Sequence, residues 1–167
     1  MNNIILSRTS VRKFKKTEVS KENVQELLRA GMAAPCACNE QVWEYFVVEN
    51  KETILKLRKA SRYSNYDAPL VICLCANKNR TLDSKIGDFW IQDLAASAEN
   101  ILLCATSLGL GGVWIGIHPV EAFKKRVVEA LKLQDEYIPF CLLFIGYSDG
   151  DVKPRDKFKE EYIHYIK

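Results

Sequence analysis

Two short segments hold most of the side chains that could bind a ligand or do chemistry. Near the start, Arg8, Thr9, Ser10 and Arg12 put two guanidinium groups and two hydroxyls within five residues. In an extended backbone alternate side chains share a face, so Arg8, Ser10 and Arg12 would point together. That grouping suits a phosphate or another polyanion, which arginine holds with paired donors. Lys153 and Arg155, held apart by Pro154, repeat the theme much later. Taken alone, either pair reads more simply as solvated surface charge.

Other chemistry is thinner. His118 and His164 are too few and too far apart for a histidine metal site. Cys36-x-Cys38 and Cys73-x-Cys75 lack the usual zinc spacing. Cys73 and Cys75 share one face of an apolar strand, where cysteine acts as a small hydrophobe, and Cys104 and Cys141 also read as core. A Cys36–Cys38 disulfide would need a strong bend, because a relaxed bridge wants Cα atoms ~4.4–6.8 Å apart; the pair reads as packing residues, not a redox couple. No Ser/His/Asp order and no carboxylate pair stands out. Chemistry here would need a cofactor.

The stretch that must position these residues runs from Asp88 to Gly116. It begins with a helix pattern of about 22 residues, roughly 33 Å long. Trp90, Leu94, Ser97, Ile101, Ala105 and Leu108 form one row, and Ile91, Ala95, Ala98 and Leu102 form a second beside it. Two adjoining rows, rich in alanine, predict a helix covered on most sides. Gly109 suits a left-handed cap. Gly111 and Gly112 then read as a turn whose bare backbone could approach a flat ligand, leading into a strand. This is not a dinucleotide fingerprint: Trp114 stands where GxGxxG requires glycine, and the glycines follow a helix rather than a strand.

The remaining elements follow in order. Ile4 to Leu6 predict a short opening helix, and Ser20 caps a second that stops near Pro35. Strands are predicted over Tyr45–Val48, Leu70–Ala76, Val113–Ile117 and Ile138–Gly146, the second and fourth apolar on both faces. Lys51 to Ala60 predicts a helix with Ile54, Leu55 and Leu57 inward, and Pro119 suits the first position of another. Asn77 to Asp83 and Ser148 to Arg155 read as loops, and Phe158 to Ile166 as an apolar tail. Helices interleaved with strands argue for one layered domain over residues 1–167.

With 167 residues, 48% hydrophobic and 27% charged, the chain has an ordinary globular composition. A net charge of +3, from 24 basic and 21 acidic residues, gives no case for nucleic acid. The longest apolar runs, Ala68–Ala76 and Ile138–Tyr147, are too short for the ~20 residues of a membrane span. The opening MNNIILSRTS is no signal peptide, so a cytoplasmic location with six reduced cysteines is expected.

Together these residues carry a resemblance. Ser-Arg-Thr-Ser-Val-Arg-Lys-Phe at 7–14, a helix ending Ala-Ala-Pro, and Asn39-x-Gln41-x-Trp43-x-Tyr45-Phe46-Val47-Val48 are similar to the nitroreductase family. So are Glu99-Asn100 on the long helix, Leu108-Gly109-Leu110-Gly111 running into Trp114-Ile115-Gly116, and Lys153-Pro154-Arg155. The match spans nearly the whole chain in order. It departs where Cys36 and Cys38 stand for the usual Ser or Thr, and where Val42 stands for a frequent Pro.

The resemblance implies an α+β fold with a central, mostly antiparallel sheet flanked by helices. It implies a homodimer with FMN at the subunit interface, the long helix in that interface, and residues 156–167 as an extension packing on the partner. It further implies an FMN-dependent enzyme that passes electrons from NADH or NADPH to a nitroaromatic, quinone or similar small acceptor by a ping-pong route. Arg8, Ser10, Lys153 and Arg155 would hold the FMN phosphate and ribityl chain, with Thr9 and Asn39 among the cofactor contacts. Arg12 would lie at the flavin pyrimidine edge and steady negative charge there; Asn65 is a candidate for a second contact to that ring. The Ile115 and Gly116 amides would face flavin N5 and O4, and Pro35, Cys36 and Ala37 would cover the flavin from the other subunit. Two other readings remain: a flavin carrier or sensor with little turnover, or a non-enzymatic module for another phosphorylated ligand.

Overall fold

The computed structural model describes residues 4–81 and 88–167. Its helices are α1 (Ile4–Ser7), α2 (Lys21–Met32), α3 (Lys51–Leu57), α4 (Phe89–Ser107) and α5 (Glu121–Leu131). Its strands are β1 (Trp43–Val48), β2 (Leu70–Asn77), β3 (Gly111–Gly116) and β4 (Tyr137–Gly146), in the spatial order β1-β2-β4-β3 with every neighbouring pair antiparallel.

Strand alternation splits the core into two layers. On one face Ile72 and Leu74 of β2 and Leu143 and Ile145 of β4 pack with Leu27 of α2 and Leu94, Ala98 and Ile101 of α4. On the other, Val71, Cys73 and Cys75 of β2 and Leu142 and Phe144 of β4 pack with Ile54 and Leu57 of α3 and Val127 of α5. This explains the unbroken apolar runs of the two central strands: each residue faces one helical layer or the other. Cys73, Cys75 and Cys141 are fully buried. Burial pushes the Cys141 thiol up, and the neighbouring Cys73 thiol, together with burial, pushes up Cys75. Cys104 is only partly buried, so it borders the core.

Local chemistry sets the ends of the elements. The Ser20 hydroxyl accepts from the Asn23 amide and starts α2, and the Asn50 side chain accepts from the Thr53 amide and starts α3. The long helix ends in a two-bond reversal: Leu110 N–H donates to Ala105 O at 2.8 Å and Gly109 N–H to Thr106 O at 3.2 Å, with Gly109 at φ 72°.

Four predictions need correction. The strand β3 begins at Gly111, so Gly111 and Gly112 are strand residues rather than a turn. They are bare because their own chain crowds them: a Cβ would come within 2.3 Å of Val11 at Gly111 and 2.7 Å of Leu102 at Gly112. Leu55 is 52% exposed, since only residues three apart, Ile54 and Leu57, share the inward face of α3. Pro119 precedes α5; Val120 is the cap and Glu121 the first helical residue. The long helix runs from Phe89 to Ser107, shorter than the pattern predicted. A short turn at Lys78–Arg80 occupies part of the predicted Asn77–Asp83 loop, whose last two residues lie outside the described ones.

Candidate functional site

The exposed edge of the sheet gathers most of the predicted residues. β3 is an edge strand, and its early outer side is covered by the segment after α1. Arg8 N–H donates to Ile4 O and ends α1. Two residues later Ser10 pairs with Gly112 in a parallel bridge, and Val11 N–H donates to Gly112 O at 3.0 Å. The segment is not a continuous strand: Val11 and Phe14, three apart, both point into the core, while Arg12 is exposed.

The same segment meets the residues after β4. Phe14 forms an antiparallel bridge with Ser148, Lys15 N–H donates to Tyr147 O, and Asp149 N–H donates to Lys13 O. Lys153 and Arg155 follow within a few residues, both exposed. The two basic groups of the sequence are thus tethered to one another, through backbone rather than through a salt bridge.

Arg8 is already held. Its Nε lies 3.0 Å from Glu99 Oε1 of α4, and its side chain is 21% exposed. Among the described residues neither of its terminal amino groups makes a hydrogen bond.

Further along β3 the edge opens. Ile117 N–H donates to Phe140 O of β4, and Ile115 lies opposite Leu142 two residues earlier. Alternation therefore turns the Ile115 amide into the sheet and the Gly116 amide outward, on the same side as Gly112 O. Ile115 is buried, whereas Gly116 is exposed and a Cβ there would meet nothing within 4 Å. Beyond it stands His118, its ring 4.8 Å from that of Trp90 and its Nδ1 buried with no hydrogen-bond partner among the described residues. Burial, then the Lys124 charge, pushes the His118 imidazole below its ordinary 6.5, against the Asp88 and Glu121 carboxylates.

The loop from Pro35 to Gln41 sits against the first half of α4. Ala37 N–H donates to Oδ1 of Asp93, a carboxylate only 6% exposed, at 3.0 Å. Cys38, Asn39 and Gln41 all lie at positive φ (48°, 56° and 50°), a conformation that costs energy for residues with a Cβ and clusters at ligand sites. Cys36 is half-buried; Pro35, Cys38 and Asn39 are exposed. The Asn65 Oδ1 accepts from Nε and Nη2 of Arg58, whose guanidinium also pairs with Asp67. A cavity of about 720 Å³ over the starts of α2 and α3 contains none of the predicted residues. Among the described residues, no cluster of three or more His, Cys, Asp or Glu is placed to hold a metal.

Sequence reasoning missed the roles of Asp93 and of the Glu99 carboxylate. The signal available was charge inside an otherwise apolar helix: Asp93 lies directly before Leu94 of the first row, and Glu99 between the two rows and Asn100.

A four-stranded antiparallel sheet between two helical layers, with a basic segment and an open glycine on its edge, places the chain among the α+β proteins. This chain belongs to the Nitroreductase family, whose sequence model matches residues 5–65 and 61–147. A provisionally named NADH dehydrogenase/NAD(P)H nitroreductase of Methanothermobacter thermautotrophicus is 35% identical, over 98% of this chain and 85% of its own. The structure of a provisionally named NADH oxidase from Clostridium acetobutylicum is 42% identical with a TM-score of 0.92, covering 99% of each chain. An FMN-dependent nitroreductase from Clostridium difficile is 30% identical with a TM-score of 0.88, covering 100% of this chain and 99% of its own.

Proposed function

We propose that this chain is an FMN-dependent oxidoreductase that draws electrons from NADH or NADPH and works as a homodimer with FMN at the subunit interface. The observation that carries the reading is the edge of β3. Arg8 and Ser10 stand beside its start, and an unobstructed, outward-facing Gly116 amide stands at its end. The donor set fits the group: cations and a hydroxyl for a phosphate, and a bare backbone for a flat ring system. The relatives named for FMN dependence and for NAD(P)H support the same reading.

FMN, when bound, would supply the redox chemistry between NADH or NADPH and a nitroaromatic, quinone or similar small acceptor in a ping-pong sequence. The chain's own residues bind and orient. Arg8 and Ser10, with Lys153 and Arg155 brought close by the Phe14–Ser148 bridge, hold the phosphate and ribityl chain, and Thr9 flanks them. The exposed Arg12 provides a fixed positive charge at the pyrimidine edge, where negative charge develops. The outward Gly116 N–H would face the flavin ring; the Ile115 amide, expected beside it, is turned into the sheet toward β4 and is not available there. Pro35, Cys36, Ala37 and Asn39 of the second subunit cover the ring, shaped by the positive-φ loop and its Asp93 anchor. A single chain leaves this edge open, which is why the second copy is part of the site.

The visible spectrum of the purified protein tests the reading. A flavin spectrum that bleaches under anaerobic NADH or NADPH and returns with an acceptor is expected. A flavin that does not bleach would make the protein a carrier or sensor, and colourless protein that takes up no FMN would remove the cofactor assignment.

A further inference from the structure

We propose that Glu99 of α4 is a positioning residue for FMN: it pairs with the Arg8 guanidinium and orders that side chain ahead of the phosphate. This rests on the FMN reading above.

Three observations carry it. Arg8 and Glu99 form an ion pair, with Nε 3.0 Å from Oε1, and among the described residues the guanidinium makes no hydrogen bond, so its donors are not committed to another acceptor. The Arg8 backbone is already fixed on both sides, by its N–H on Ile4 O and by the Ser10–Gly112 bridge. The side-chain torsions remain, and the carboxylate restrains them together with the packing that leaves the side chain only 21% exposed. Finally, Glu99 sits on a helix built into the core, with Ala98 and Ile101 beside it fully buried, so its own backbone is a rigid platform.

The arrangement has little to do with keeping the fold together. Glu99 is 45% exposed, and ion pairs that open to solvent stabilise proteins weakly. Its value lies in ordering. Arginine's planar fork loses torsional freedom when it binds a phosphate, and a side chain ordered beforehand binds more tightly. The nearby carboxylate also repels a phosphate, so the sign of the net effect is a measurable question. Ordering is the expected net effect, because the ion pair restrains the guanidinium before any ligand arrives.

Flavin release from the loaded, full-length protein tests this, read on dilution by the recovery of free-flavin fluorescence. FMN and riboflavin are compared in wild type, Glu99→Ala, Glu99→Gln, Arg8→Ala and the Arg8→Ala/Glu99→Ala double variant. Riboflavin lacks the phosphate and so reports any general damage to the site. Glu99→Ala is expected to weaken FMN roughly three- to tenfold and to leave riboflavin unchanged. Glu99→Gln, which keeps an acceptor oxygen at the same reach, should fall between wild type and Glu99→Ala. In the Arg8→Ala background the Glu99 change should have no further effect. Unchanged or tighter FMN binding in Glu99→Ala, an equal loss for riboflavin, or additivity with Arg8→Ala overturns the positioning role while leaving Arg8 at the phosphate. If Arg8→Ala itself leaves FMN unaffected, the phosphate assignment falls and this inference with it.

Discussion

Arg155 is the most exposed test of the cofactor assignment at the level of single residues. It makes no hydrogen bond or salt bridge among the described residues, so its replacement removes nothing from the fold. Arg155→Ala is expected to weaken FMN by about 1–3 kcal/mol, the range for a charged hydrogen bond, with an unchanged melting temperature for the flavin-free protein. Equilibrium flavin retention checks this, and retention like wild type in both Arg155→Ala and Arg8→Ala would remove the chain-spanning phosphate site. His118 gives a second test, in pH. Its folded imidazole is harder to protonate than the ordinary 6.5 of the unfolded chain. The unfolded state therefore binds more protons, and stability is complete above that value and declines as pH falls through it. The groups around the ring are Lys124 and Glu121 of α5 and Asp88 before α4, with Trp90 on one side. His118→Gln should show a shallower loss of melting temperature between about pH 7.5 and 5. An identical pH slope in both proteins would mean His118 does not titrate on unfolding.

At the scale of elements, β3 separates two kinds of glycine that look alike in sequence. Gly111 is bare because Val11 lies on it, and Gly116 is bare with open space in front. Gly111→Ala forces the Ser10–Val11 segment outward and is expected to cost about 1–3 kcal/mol of stability, the range for an overpacked site. Gly116→Ala should change flavin-free stability by less than about 0.5 kcal/mol yet weaken flavin retention, because its methyl group enters the space the ring would use. Thermal melts with and without FMN separate the two; equal behaviour of the variants would contradict the division. This is also where sequence legibility stops. The strands, their apolar faces, the Ser20 cap and the Gly109 reversal were readable because each depends on near neighbours in the chain. The reason for Gly111 was not, because Val11 reaches it from a hundred residues away. For the same reason Arg8 was legible as a phosphate candidate while its Glu99 partner was not: the motif shows residue types, and only the packing of α1 against α4 shows which carboxylate meets which guanidinium.

For the whole molecule, the exposed apolar surface is where the proposed dimer is tested. Phe158, Tyr162, Tyr165 and Ile166 are 73%, 72%, 80% and 99% exposed in the single chain. Ala95, Ala96 and Cys104 of α4 remain half-buried beside the core they border. An apolar tail of this kind is a contact surface when a partner covers it and an aggregation liability when none does. Sedimentation of the flavin-loaded protein should give a dimer, and removal of residues 156–167 should weaken both dimerisation and FMN retention. An FMN-loaded monomer at micromolar concentration would contradict the interface site. The layered fold was legible from the alternation of helix and strand patterns. The order β1-β2-β4-β3 was not, since pairing between distant strands is set by packing that no local pattern encodes.

The bridge between Phe14 and Ser148 also has a consequence in time. A ribosome adds residues at ~5–20 per second, so the basic segment waits on the order of ten seconds before the residues that pin it have been made. Its closest other support, β3, emerges late as well. Such late, long-range closures are slow steps in folding. The half-made protein can assemble β1, β2 and α4 while the two basic segments of the proposed FMN site are still apart. FMN should therefore be captured only after synthesis has passed β4, as the last act of maturation rather than as a scaffold for it.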